Sequence, residues 1–177
     1  MFFKNNKRYL IASIIVTVLA VVVNAFIIMQ SCLNGFLSSR SSGMAVNLFK
    51  GIINGISPNT INDSNIDTFT HVIRKLIGHF GLFVVSGLST SGAVYLWFKP
   101  QKWYKLYRFA YASLLFGFFL AGLTEFIQTF IPNRSGQFSD VLIDFSGFLL
   151  GFSIILLIIY LVYRHQKKKQ QIVSQDE

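Results

Sequence analysis

The chain has 177 residues, of which 53% are hydrophobic and 13% charged, and its mean hydropathy is +0.53; this balance excludes an ordinary water-soluble globular domain. The formal net charge of +9 does not describe a nucleic-acid surface, because the basic residues stand beside apolar runs and not on an interleaved aromatic face, so no nucleic-acid partner is expected. Cys32 is the only cysteine, which excludes an internal disulfide framework.

The first apolar run, Leu10 to Met29, follows the basic residues Lys4, Lys7 and Arg8 and is interrupted only by Ser13, Thr17 and Asn24. Because the apolar core of a signal peptide is about 7 to 15 residues long, this longer run is read as an uncleaved spanning helix. The residues before Cys32, Met29-Gln30-Ser31, do not form a lipoprotein-processing pattern. In the segment 30–76, Val46, Phe49, Ile52, Ile53 and Ile56 recur at helical spacing after the Ser-rich stretch Ser38 to Ser42. That pattern predicts an amphipathic helix, on the membrane surface or packed on the bundle, and Ser57-Pro58-Asn59 ends it. Three further runs, about 77–98, 106–130 and 141–163, are each long enough to cross a bilayer, which takes about 20 mostly apolar residues.

The fold class is therefore all-α: a four-helix transmembrane bundle in one domain, residues 1–166, with a polar tail at 167–177 that is expected to be disordered. Eleven of the sixteen basic residues flank one side of these spans, at Lys4, Lys7, Arg8, Lys99, Lys102, Lys105, Arg108, Arg164 and Lys167 to Lys169. The positive-inside rule then puts both termini and the 99–108 loop in the cytoplasm of a multi-pass cell-membrane protein, and the 30–76 and 131–139 segments outside.

Ionisable groups are costly at membrane depth and are functional candidates by default. On the third span Gly117, Ala121, Glu125 and Gln128 form one helical stripe, and on the fourth Asp140, Asp144, Gly147 and Gly151 form another, small residues deep and polar ones outward. The second span offers His79, Phe83, Ser86 and Thr90 on one face, with Arg74 and Lys75 just before it. Glu125, Asp140 and His79 are candidates for acid–base chemistry. Arg134, Gln128, Asp144, Arg74 and Lys75 are candidates for binding, with the arginines suited to an anionic head group. One histidine and three scattered carboxylates lack the tight spacing of a zinc motif such as H-E-x-x-H, so no metal site is expected, and no cofactor is identified. His71 reads as a solvated or interfacial residue. Packing alone accounts for the GxxxG spacing of Gly147 and Gly151, where Leu is expected to cost more stability than Ala.

The stretch Glu125, Gln128, Ile131-Pro132, Arg134, Asp140, Asp144, Gly147, Gly151 resembles the VanZ-like membrane proteins, whose hallmark runs E-x-x-Q, a short loop with Arg, then D-x-x-x-N-x-x-G. Ile73-Arg74-Lys75-Leu76-Ile77-Gly78-His79-Phe80 is similar to that family's R-K-x-x-H-F element. Two departures stand out: Asp144 occupies the usual Asn position, and three residues separate Lys75 from His79 where the pattern has two, a rotation of about 100° on a regular α-helix. The resemblance implies a bacterial cell-membrane protein of a family whose namesake is associated with resistance to teicoplanin, a glycopeptide bearing an acyl chain that acts outside the membrane. The expected function is action at the outer leaflet, on a lipoglycopeptide or other envelope component, with membrane lipids as partners. A membrane enzyme acting on a lipid-linked substrate and a structural partner of envelope proteins are the alternatives.

Overall fold

The computed structural model describes residues 7–98 and 106–173; Lys4, Lys99, Lys102 and Lys105, and the end of the tail, lie outside these. Among the described residues every regular element is helical: α1 (Lys7–Cys32), α2 (Gly35–Ile56), α3 (Ile66–Ile73), a π-helical turn (Arg74–Gly81), α4 (Leu82–Phe98), α5 (Leu106–Gln128) and α6 (Phe138–Val173). Four segments are long and apolar enough to cross a membrane: Lys7–Cys32, Ile66–Phe98, Leu106–Gln128 and Phe138–Lys168. The four-span expectation holds, with each span except the third starting earlier than hydropathy alone suggested. α6 also runs on through the basic run to Val173, so the tail expected to be disordered from Lys167 is helical through most of its length. Continuous i→i−4 bonding from a long stable helix carries good helix formers such as Lys and Gln with it.

α4 lies at the centre, against α1, α5 and α6. It runs antiparallel to α1, and polar side chains join the two: Asn24 Nδ2 donates to Thr90 Oγ1 at 2.9 Å, Ser86 Oγ donates to Asn24 Oδ1 at 2.6 Å, and Trp97 Nε1 donates to Thr17 Oγ1 at 2.8 Å. In a bilayer, where lipid is as apolar as Leu, such bonds and close packing hold helices together in place of the hydrophobic effect. The outward faces are correspondingly apolar, with Ile11, Ile15, Val18 and Val22 of α1 all exposed.

α4 and α6 run parallel and touch backbone to backbone. A Cβ added at Gly87 would lie 2.2 Å from the carbonyl oxygen of Phe148, one at Gly147 would lie 2.3 Å from that of Phe80, and one at Gly151 would lie 2.3 Å from that of Val84. The expected small-residue packing is therefore present, with Gly87 as an unanticipated third member. It is also tighter than expected, because even Ala is excluded at these positions. Phe148 fills the adjoining space completely buried, its ring 2.3 Å from where a Cβ of Gly117 would stand. Farther along the bundle, Phe109 stacks on Phe152 and takes Tyr95 edge-on.

α2 packs chiefly against α3 and the π-helical turn, and Met44, Leu48, Ile52 and Ile56 are exposed along it. The expected helix is therefore present, in contact with the second span through α3 and the π-helical turn with Val46 buried, and with an apolar row left exposed. α2 ends where expected. Pro58 and Asn59, with Asn59 at φ 68°, turn the chain, and the Asn54 side chain bonds both the N–H and the carbonyl of Ile61.

Candidate functional site

The candidate site forms at the end of the bundle where α5 stops, α6 starts and the π-helical turn enters α4. The link between α5 and α6 is built from local chemistry. Pro132 and Asn133 occupy the centre of a turn closed by Arg134 N–H on the carbonyl of Ile131, and Asn133 takes the positive φ of 59° that Asn tolerates better than most residues. Asp140 falls in the first turn of α6, where the exposed N–H groups and the helix dipole favour a carboxylate.

Lys75 Nζ pairs with Asp140 Oδ1 at 2.5 Å, and His79 Nδ1 lies 3.1 Å from Asp144 Oδ1 and 3.7 Å from Glu125 Oε1. Two side chains of the π-helical turn thus meet two acids of α6 in matching order. The i→i+5 winding of the turn accommodates the extra residue between Lys75 and His79, and both side chains reach α6. Gly147 makes this approach possible, since the carbonyl of Phe80, next to His79, occupies the place its side chain would take.

Glu125 is buried and held by neutral donors: Gln128 Nε2 at 2.9 Å on Oε1 and the Gln137 N–H at 3.1 Å on Oε2. Asp144 is 1% exposed, and its Oδ2 has no hydrogen-bond partner; the nearby Thr124 hydroxyl donates to the carbonyl of Ala121. Neither Glu125 nor Asp144 is salt-bridged to a lysine or arginine among the described residues. One ligand-capable atom from each of His79, Glu125 and Asp140 falls within 4.8 Å of the others, a grouping with no counterpart in linear spacing.

Arg134 takes a different place from the one expected. Its Nη1 donates to the carbonyls of Gln30 at 2.9 Å and Leu33 at 3.4 Å, at and just beyond the end of α1, and not to the carboxylates. A cation at a helix C-terminus is well placed for both the free carbonyls and the dipole. Burial, with Arg74 nearby, holds the guanidinium below its usual pKa, while Glu125 and Asp140 act in the opposite direction. Ser86 and Thr90, read as part of the site-facing stripe, are instead bound to Asn24 of α1. His71 is exposed on α3.

The cluster therefore contains His79, Glu125, Asp140, Asp144, Gln128 and Lys75. Sequence reasoning missed Gln137, whose contribution is a backbone N–H. It also missed Gly136, where a Cβ would lie 2.3 Å from the carbonyl oxygen of Glu125. A glycine just before a helix start was the available signal. An imidazole between two carboxylates, one nearly sealed from solvent, is equipped for proton transfer and for charge-assisted binding.

No curated protein and no solved structure matches the chain. The family model described as VanZ/LLP1 matches residues 9–161, a stretch that takes in the second and third spans whole, most of the first and fourth, and every residue of the cluster, and the chain belongs to the VanZ/LLP1 family.

Proposed function

We propose that this multi-pass membrane protein acts at the outer leaflet of the bacterial cell membrane on an amphiphile with an anionic head group, either a lipid-linked envelope component or an acylated glycopeptide such as teicoplanin. The carrying observation is the convergence of His79, Glu125, Asp140 and Asp144 at one end of the bundle, with Lys75 in contact and Arg74 beside it on the same turn. Maintaining three carboxylates at a membrane boundary is expensive and has no necessity for packing, which the glycines already secure. The lipid-facing helices suit the acyl chain, and the polar cluster suits the head group. The distribution of basic residues supports the outward orientation.

Deletion and overexpression, with teicoplanin titrated beside vancomycin and lipid extracts profiled in parallel, test this reading. A shift in teicoplanin susceptibility, or an altered lipid-linked precursor, that is lost in Glu125→Gln at equal inserted protein is the expected result. Unchanged susceptibility and unchanged lipid profiles on both deletion and overexpression would count against it. The structural-partner alternative is less favoured, because Gly87, Gly147 and Gly151 are spent on contacts within the chain.

A further inference from the structure

We infer that the cluster binds a divalent transition-metal cation, held by His79, Glu125 and Asp140 with Asp144 completing the site. The inference deepens the functional reading, since it concerns the same end of the bundle, but it rests on the geometry of the cluster and not on the identity of the amphiphile.

Three observations lead to it. The candidate donor atoms of His79, Glu125 and Asp140 lie within 4.8 Å of one another. Metal–ligand bonds of about 2.0 to 2.2 Å put three ligands of one ion about 3 to 4 Å from one another, so closing the site takes side-chain shifts of up to about an ångström. Second, Asp144 Oδ2 is buried without a hydrogen-bond partner, on a residue that is 1% exposed and whose other oxygen lies 3.1 Å from the His79 ring. A buried carboxylate oxygen left unanswered is costly, and an ion or ligand is an ordinary explanation for one. Third, the charges do not balance by contact. Asp140 has the Lys75 ammonium, but Glu125 and Asp144 meet no lysine or arginine among the described residues and share the single His79 ring between them. A divalent cation would serve both carboxylates at once.

The donor set narrows the ion. An imidazole nitrogen favours a transition metal, and carboxylate oxygens tolerate the harder members, so Zn2+ and Mn2+ fit better than Mg2+ or Ca2+. The Asp144–His79 contact adds the carboxylate–histidine pairing that orients imidazole ligands at metal centres. The sequence concealed this grouping because its donors come from three helices. No pair of them has the i, i+4 spacing of a helical zinc motif except the two aspartates of α6.

The test uses the full chain in lipid nanodiscs, stripped with chelator and titrated separately with Zn2+ and with Mn2+, with bound metal measured by elemental analysis after desalting and melting followed in parallel. Saturable binding of roughly one ion per chain is expected for at least one metal, with a rise in melting temperature that chelator reverses. His79→Ala and the near-isosteric Asp144→Asn should each weaken binding by at least the roughly ten- to hundredfold typical of outer-sphere partners. Absence of saturable binding of either ion to the folded wild-type chain would overturn the inference, as would undiminished binding in both variants. Because the wild-type titration alone can decide, poor folding of a variant does not shelter the proposal. Failure here with an intact susceptibility or lipid phenotype removes the metal and leaves the functional reading standing; metal binding without either phenotype does the reverse.

Discussion

Arg134 illustrates how much a single side chain's partners matter. Its motif position suggested a guanidinium facing carboxylates, yet it donates to the carbonyls of Gln30 and Leu33 and so ties the 131–137 link to the end of α1. Its first consequence is therefore mechanical. Arg134→Ala is expected to lower folded stability by about 1.5 to 3 kcal/mol, the range for hydrogen bonds to charged groups, as well as any activity. Thermal melting in detergent, read beside activity per inserted molecule, checks this. Loss of activity with unchanged melting would mean instead that the guanidinium grips a ligand. Lys75 is the cation that meets a carboxylate, and its pairing with Asp140 is only partly shielded, with side chains 25% and 11% exposed. A double-mutant cycle with Lys75→Met and Asp140→Asn should give a coupling of about 0.5 to 3 kcal/mol; additivity of the two substitutions would show that the pair contributes nothing specific.

At the scale of elements, the α4–α6 contact and the π-helical turn decide the geometry. A Cβ at Gly87, Gly147 or Gly151 would collide with backbone of the facing helix, which cannot swing aside as a side chain can. Ala at any of the three should lower the melting temperature, with Leu lowering it further. Gly122 on α5 has nothing within 4 Å of its virtual Cβ, so Gly122→Ala should be neutral or stabilising by up to about 1 kcal/mol through helix propensity. Equal melting of Gly147→Ala and Gly122→Ala would mean that α4 and α6 do not approach this closely. The π-helical turn makes a separate prediction. Deleting Gly78, which also has open space around it, restores the family's spacing between Lys and His and lets the turn wind as a regular helix. That deletion should be tolerated, whereas an alanine inserted at the same point should unseat the histidine and lower stability. Comparable losses for both in melting experiments would refute the idea that the turn simply absorbs one extra residue.

For the whole molecule, orientation governs what the site can meet. Four spans return the chain to its starting side, and the excess of Lys and Arg at both termini and in residues 99–108 predicts that this side is the cytoplasm. A cytoplasm-active reporter fused at residue 103 should work, and a periplasm- or surface-active reporter should work in the 131–137 link instead. The reverse pattern would place the cluster at the inner leaflet and remove acylated glycopeptides from its reach. The exposed row Met44, Leu48, Ile52 and Ile56 on α2 suits the interface on the same side as the cluster, because α2 joins the end of α1 to the start of the second span.

The sequence by itself determined the all-helical class, the four spans, the break after Ile56 and the residues of the motif, because these rest on local properties: apolar length against bilayer thickness, turn chemistry, and polar groups too costly to occur by accident. Even there, the reach of α6 to Val173 was missed, since a polar composition does not reveal a helix propagating out of the membrane. Tertiary structure alone decided the pairing. Lys75 with Asp140 and His79 with Asp144 join positions 65 residues apart, Ser86 and Thr90 turn to Asn24, and Arg134 turns to α1. Helical periodicity says which residues share a face but not the rotation or axial register at which two helices dock. Those are set here by where Gly87, Gly147 and Gly151 let backbone meet backbone, with the π-helical turn carrying Lys75 and His79 to α6.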